Sequence, residues 1–362
     1  MHRIIKEDLE NIVEGIRDQA GALEGKTVFI SGGAGFLGSY FLGAIALLNE
    51  KFLRRPCSAI ALDNYITGSR NNFLQEIAGE HIRILEGDVT EPLQLEERMD
   101  YVIHAAGLAS PIYYKKFPLE TIQSAIGGAK NLLDFVRGRN PESFLFFSSS
   151  EIYGDPDPNF IPTPETYKGS VSCVGPRACY DESKRLAETL CLTYYRVHGV
   201  PVKIVRPFNV YGPGMKMDDY RVIPTFITRS LSGLPLPVHG SGNQTRTFCY
   251  VSDAVTGFFK VLLSSKNGEI YNVGTESPEV NMVTLATMMA EASLHSVPIR
   301  CIAYPESYPA DEPNRRCPDL TKIKAELGYA PKVNLSDGIA RTMTWFRDTF
   351  GPSNGNGRLV ER

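Results

Sequence analysis

Residues 26–39 read KTVFISGGAGFLGS, a short β-branched and apolar run that passes without a break into Gly32-x-x-Gly35-x-x-Gly38 and then into a helical pattern. Few stretches restrict a fold more. In a strand-turn-helix of this kind the first glycine permits the tight turn, the second lets a diphosphate approach the backbone, and the third lets helix and strand pack closely. The N-terminus of the following helix then offers unpaired N–H groups to an anion. The stretch therefore predicts the opening βα unit of a parallel sheet that binds a dinucleotide.

Alternation along the chain extends that reading. Apolar runs at 26–31, 58–64, 81–89, 101–107, 143–150 and 202–210 are separated by longer helical patterns. Such alternation predicts an α/β chain with a Rossmann-type, doubly wound parallel sheet. Residues 1–25 place Ile5, Leu9, Ile12 and Ile16 at helical spacing among charges, predicting a helical extension ahead of the NAD-binding region at 26–207. From 208 to 350 the texture turns to Pro- and Gly-rich loops and shorter helices, a smaller substrate-binding region. Within it, residues at about 247–268 read as a strand running into an apolar helix that returns to the sheet. The tail, 351–362, has little to bury and is expected to be loose.

The whole composition narrows the partners. With 362 residues, 43% hydrophobic and 22% charged, the chain can bury a sizeable core, and a net charge of -3 without a basic run argues against nucleic acid. Seven cysteines without a C-x-x-C pair suggest neither a zinc site nor a disulfide framework, so no metal is expected and a reducing compartment is. No stretch reads as a signal peptide or membrane span. The expectation is a soluble, cytoplasmic protein acting on a small molecule.

Asp63 closes the second strand, where a carboxylate can accept hydrogen bonds from an adenosine ribose and would repel a 2′-phosphate. NAD is favoured over NADP, although Arg70 lies nearby. Asp88 and Val89 end the third strand facing the adenine, and Ala105 and Ala106 after the fourth leave room for the cofactor. His104, beside them, reads as a satisfied core histidine. The fifth strand delivers Ser149, Ser150 and Glu151 to the sheet edge where open α/β folds bind ligands.

Tyr180 stands four residues before Lys184. Alone, that spacing describes one face of many helices, and Leu186, Leu190 and Tyr194 could supply an ordinary buried stripe. Beside the serines and a dinucleotide it reads differently. A phenol with a pKa near 10 is a poor base at neutral pH unless a cation stabilises the phenolate, which Lys184 can do.

Taken in order, GGAGFLG, DNYITG, GDV, HAAG, SSSEIYGDP, YDESK, RPFNVYGPG, GSGNQTRTFCYVSD and DEPNRRCPDL resemble the extended short-chain dehydrogenase/reductases that modify nucleotide sugars. The resemblance covers nearly everything from 26 to about 346. It implies that Phe36, Leu37, Asn64 and Gly68 join the cofactor contacts, and that Tyr180 is the base with Lys184 its activator. Where 4,6-dehydratases carry Asp-Glu, this chain has Ser150-Glu151, and with GPRACYDESKR it resembles UDP-glucuronate decarboxylases, also called UDP-xylose synthases.

That likeness implies oxidation at C4, loss of CO2 from the β-keto acid and re-reduction to UDP-xylose, with or without release of the 4-keto pentose. Glu151 and Arg246 would lie near the sugar carboxylate and the C5 proton, Asn209, Arg246 and Arg315 near the diphosphate, and Arg221 near the uridine. Tyr114 falls in the matching loop. Ser124 stands where family members carry Asn, and His239 where an aromatic is expected. A UDP-glucuronate 4-epimerase, a 4,6-dehydratase and a non-catalytic NAD-binding regulator remain as alternatives. A homodimer formed through the Tyr180 helix and the helix before the fifth strand is also implied, with Leu132, Leu133 and Val136 as candidate apolar surface.

Overall fold

The structure, a computed structural model, describes residues 1–70, 72–304 and 313–351. The 352–362 part of the expected loose tail and residues 311–312 of the last motif lie outside the described residues. Seven strands form the central sheet: β1 (Thr27–Ser31), β2 (Ser58–Asp63), β3 (Ile82–Glu86), β4 (Tyr101–His104), β5 (Ser143–Phe147), β6 (Val202–Pro207) and β7 (Glu269–Val273). They run in the order β7-β6-β5-β4-β1-β2-β3, and every neighbouring pair is parallel.

The order reverses between β1 and β4, so connections leave that point toward opposite sides and open a crevice at the carboxyl ends of the strands. Register sets what lines it: Ser31 pairs with Leu62 on one side and His104 on the other, bringing the glycine turn, Asp63 and the 105–107 loop to one edge. Six of the seven strands are the apolar runs of the sequence. The seventh, EIYNV, is one of the two edge strands and carries Glu269 and Asn272 among only three apolar residues, so hydropathy does not single it out.

Both faces of the sheet are covered. The glycine-loop helix Phe36–Lys51 and the helix Val251–Leu263 pack on one face, the latter being the segment that returns to the sheet. The N-terminal helix Arg3–Gly15 joins that layer through Ile4, Ile5, Leu9, Ile12 and Val13, with Ile16 at its C-terminal end, all buried. Burying an aliphatic side chain of this size contributes about 1.5–3 kcal/mol, so the extension is part of the core rather than an appendage. It is also fixed by a buried carboxylate: Asp8 receives Tyr250 Oη at 2.9 Å and Arg341 Nη2 at 2.8 Å.

On the other face, Leu132, Leu133 and Val136 are fully packed beneath the sheet with Phe144 and Phe146. The expected apolar surface for a dimer is therefore not formed by these three; side chains on this face of the helix belong to the core. Residues beyond β6 build small sheets above the carboxyl edge. Leu236–His239 pairs with Ile299–Ile302, and Thr245–Arg246 lies between Val280–Asn281 and Arg315–Arg316. Among the described residues no helix is long and apolar enough to cross a membrane.

Candidate active site

The glycine turn is built as its spacing requires. Gly32 has φ +77°, and a Cβ there would lie 2.7 Å from the Ala106 nitrogen; a Cβ on Gly38 would lie 2.3 Å from the Gly32 carbonyl oxygen. Neither position tolerates a side chain. Gly35 caps the Phe36–Lys51 helix, whose first turn with Phe36 and Leu37 faces a cavity of about 780 Å³. The same cavity is lined by Asp63, Asn64, Asp88, Val89, Ala105 and Ala106.

Asp63 accepts the backbone N–H of Ala34 at 2.9 Å and of Tyr65 at 2.8 Å. Burial nevertheless raises its pKa, with those bonds and Lys216 opposing. Gly68 closes over it, since a Cβ on Gly68 would stand 2.5 Å from Asp63 Oδ1. Asp88 is partly buried, but the Thr90 backbone N–H and hydroxyl and the Asn64 amide bond it and hold its pKa below the usual value. A cavity with a helix N-terminus and a backbone-held carboxylate in its wall fits a dinucleotide.

His104 is wholly buried and neutral, its pKa pushed down by burial to about 3. Its Nε2 lies 3.1 Å from the Ser124 carbonyl, which can only accept, so Nε2 carries the proton and Nδ1 receives the Ser31 hydroxyl at 2.8 Å. The ring is structural. It pins Ser124 inside a turn of π-helix, Gln123–Gly127, on the segment that ends at the cavity; the Ser124 hydroxyl itself turns back to the Thr121 carbonyl at 3.1 Å.

The helix Ala178–His198 carries Tyr180 and Lys184 on its buried side. Tyr180, Lys184, Glu188 and Cys191 form its buried face, whereas Leu186 is 53% exposed. Burying a lysine is costly unless its charge is met; Lys184 Nζ donates to the Phe147 carbonyl at 2.8 Å and lies 5.0 Å from the centre of the Phe146 ring. Burial pushes its pKa down to about 8. The ammonium reaches the cavity edge, 3.3 Å from where a Gly107 Cβ would stand.

Tyr180 is 5% exposed, and burial pushes its pKa up to about 12; the Ser149 hydroxyl and Arg221 pull it down, while Glu151 and Asp181 push it up. Tyr114 stacks on its ring at 5.5 Å and 20°. Ser149 caps the short turn Ser150–Tyr153, accepting the Glu151 N–H at 3.2 Å. Arg221 is held by Asp219, with Nε 3.0 Å from each carboxylate oxygen, and lines the dinucleotide cavity.

Two arginines that the sequence reading did not single out grip Glu151. Arg316 reaches it with Nη1 at 2.5 Å and Nη2 at 2.6 Å, and Arg177 Nη2 bonds the same carboxylate. Arg177 Nε also lies 3.5 Å from Asp181, whose pKa is raised by burial and by the neighbouring Glu151 charge. Arg177 carries a sequence signal, since it starts the Tyr180 helix three residues before the tyrosine. Arg316 does not, because Arg315 beside it looks the same. In an extended strand adjacent side chains take opposite faces; Arg315 pairs outward with Glu279 at 2.8 and 2.6 Å, and Arg316 turns inward.

The remaining expected substrate residues sit on the smaller region. Arg246 is buried, donating to the carbonyls of Thr245 at 2.8 Å, Asn314 at 3.2 Å and Pro313 at 2.6 Å, so it braces the segment beside Arg315 and Arg316. Asn209, at φ +41°, donates to the Thr247 carbonyl at 2.9 Å. His239 stacks on Tyr304 at 5.8 Å. Ser149, Lys184 and Glu151 thus set a hydroxyl, an ammonium and a fixed carboxylate about the buried Tyr180 phenol, an arrangement able to move a proton from a bound hydroxyl.

Comparison with known proteins agrees with the geometry. Residues 28–274 match the NAD dependent epimerase/dehydratase family. UDP-glucuronic acid decarboxylase 5 of Arabidopsis thaliana is 42% identical over 324 residues, 90% of either chain. Epimerase Mth375 of Methanothermobacter thermautotrophicus superposes with a TM-score of 0.80 at 26% identity, covering 93% of this chain and 96% of its own. dTDP-glucose 4,6-dehydratase DesIV of Streptomyces venezuelae, solved with NAD and TYD bound, gives 0.78 at 26% identity, over 89% and 97%. On its fold, its glycine cradle and these relatives, the chain belongs to the NAD dependent epimerase/dehydratase family.

Proposed function

We propose that the chain is a NAD-dependent UDP-glucuronate decarboxylase, converting UDP-glucuronate to UDP-xylose and CO2. The carrying observation is the Ser150-Glu151 pair: no carboxyl group stands at 150 to protonate a leaving C6 hydroxyl, and Glu151 is clamped by Arg177 and Arg316 beside Tyr180. A pair of guanidiniums around one carboxylate suits a pocket that must also accommodate a substrate carboxylate. The likeness to a curated decarboxylase at 42% identity supports the same reading.

The Gly32–Gly38 turn, Asp63 and Asp88 would hold the dinucleotide, whose nicotinamide would supply reversible two-electron chemistry for C4. Tyr180 takes the C4 hydroxyl proton. Its phenol has a pKa raised to about 12 in this structure, so catalysis depends on charge brought close to it: Lys184 at the cavity edge, Arg221, and the Ser149 hydroxyl. The resulting 4-ketone lies β to the C6 carboxylate, and the C5–C6 bond breaks with its electrons delocalised into an enolate. Ser149 and Tyr180 stabilise the enolate oxygen. Glu151, fixed by its two arginines, handles the proton at C5, and Arg246 braces the loop that carries Arg316.

The assembly and compartment belong to the same proposal. Leu119, 69% exposed, and Leu186 lie on neighbouring helices and offer apolar surface for a homodimer, and seven free thiols suit the cytoplasm. The test is to incubate the protein with UDP-glucuronate and NAD+ and follow the sugar nucleotides by proton NMR. UDP-xylose, with or without the 4-keto pentose, supports the proposal, and Tyr180→Phe should abolish it. UDP-galacturonate without CO2 would make the chain an epimerase, and an unaltered substrate would refute this choice of sugar.

A further inference from the structure

The cavity that fits the dinucleotide has a wall no glycine motif foretells. The segment after β6 folds back across it: a Cβ on Gly214 would stand 3.5 Å from Phe36, the first residue of the glycine-loop helix, and 3.6 Å from Tyr40. Tyr40 Oη lies 3.0 Å from the Pro213 carbonyl and 3.3 Å from the buried Asp8, so the root of the segment is held against that helix and the N-terminal helix behind it. The backbone thus crosses the helix N-terminus where a diphosphate binds.

Two residues on, Lys216 spans the gap to the opposite bank. Its Nζ donates to the Gly68 carbonyl at 3.0 Å, and the side chain lines the cavity. Gly68 belongs to the loop folded tightly around Asp63, and the ammonium acts electrostatically on Asp63 and on Asp219, both in the cavity wall. A flexible cation on the substrate-region side therefore joins the loop on the nucleotide-binding side, in the wall of the same cavity.

We propose that residues 212–216 are a strap over the dinucleotide and that Lys216 is its latch, a cofactor-retention residue whose ammonium faces the bound diphosphate and whose bond to Gly68 closes the cavity behind it. The chemistry recognised is a dinucleotide diphosphate, so the proposal rests on NAD binding and not on the choice of sugar. Opening the latch costs one charge-assisted hydrogen bond and one close counter-charge, interactions that govern dissociation more than encounter.

The experiment loads the full chain with NADH, chases it with excess NAD+, and follows energy transfer from Trp345, the single tryptophan and itself a cavity-lining residue. Lys216→Gln and Lys216→Met should each release NADH about tenfold faster, with Lys216→Arg close to the parent chain and melting temperatures unchanged. Unchanged release from both Gln and Met overturns the latch. So does unchanged release with a raised KM for UDP-glucuronate, which would make Lys216 a substrate residue. Because release is read without turnover, failure to decarboxylate UDP-glucuronate leaves this result standing on its own.

Discussion

Replacing Arg177 by methionine removes a guanidinium while keeping most of the side-chain volume, so the effect on its two carboxylates is isolated from a packing loss. Arg177 is 5% exposed and serves Glu151 and Asp181 together. Breaking a buried ion pair typically costs about 3–5 kcal/mol, because the orphaned charge keeps its desolvation penalty. Here both orphans have an escape. Glu151 retains Arg316 at 2.5 and 2.6 Å, and Asp181, whose proton affinity burial already raises, neutralises by holding its proton.

The expected loss is therefore about 2–3 kcal/mol, below the full range for a broken pair. In a chain of 362 residues that is a fall in melting temperature of roughly 3–4 °C. A double-mutant cycle reads the mechanism directly: with Asp181→Asn present, the penalty of Arg177→Met should shrink by about 1 kcal/mol or more, since no second carboxylate is stranded. With UDP-glucuronate, kcat should fall at least about tenfold while NADH release is unchanged, because Glu151 loses one of its two anchors. Additive effects within about 0.5 kcal/mol, or an unchanged melting temperature, would refute the clamp.

Other perturbations test separate parts of the structure. Asp8 has its pKa raised by burial from 3.8 to about 6 despite Arg341, so the folded chain holds this proton more tightly than the unfolded one. That term favours folding at acid pH and is lost as pH rises through about 6; the stability of the parent chain relative to Asp8→Asn should fall by about 2 kcal/mol between pH 4 and 7, and an unchanged difference between the two proteins at those pH values would contradict it. Gly38→Ala places a Cβ 2.3 Å from the Gly32 carbonyl and 2.7 Å from Gly33 Cα, both backbone, so the turn must open: a loss of about 2–4 kcal/mol and weaker NAD binding, checked by melting and titration. Arg315→Ala, which removes a half-exposed pair with Glu279, should cost less than about 1 kcal/mol and leave kcat near normal, whereas Arg316→Ala should cut kcat severely; equal effects would invalidate the inward and outward assignment.

What could be read directly was what local chemistry decides. Six strands announced themselves by apolar runs, and the glycine turn by residues for which no substitute fits. Asp63, the serines and Glu151 could be placed because each closes a strand, and a strand end in a parallel sheet has one address. The Tyr180–Lys184 spacing was legible as a face, but whether that face was buried was not: the buried lysine and the exposed Leu186 follow from the Phe147 carbonyl and the sheet beneath, which are remote in sequence.

Tertiary structure alone decided the rest. Arg315 and Arg316 are chemically identical neighbours, and only the pairing of their strand with Thr245–Arg246 determines which one meets Glu151. Leu132, Leu133 and Val136 could have faced a partner or the core, and the packing of their helix on the sheet chose the core. The cavity wall contributed by Gly214, Met215, Lys216 and Trp345 joins segments that lie far along the sequence from the glycine loop on the opposite wall. Backbone geometry and residue type determine a turn or a strand from its own few residues, whereas the partner of a buried charge is set by the closure of the whole chain.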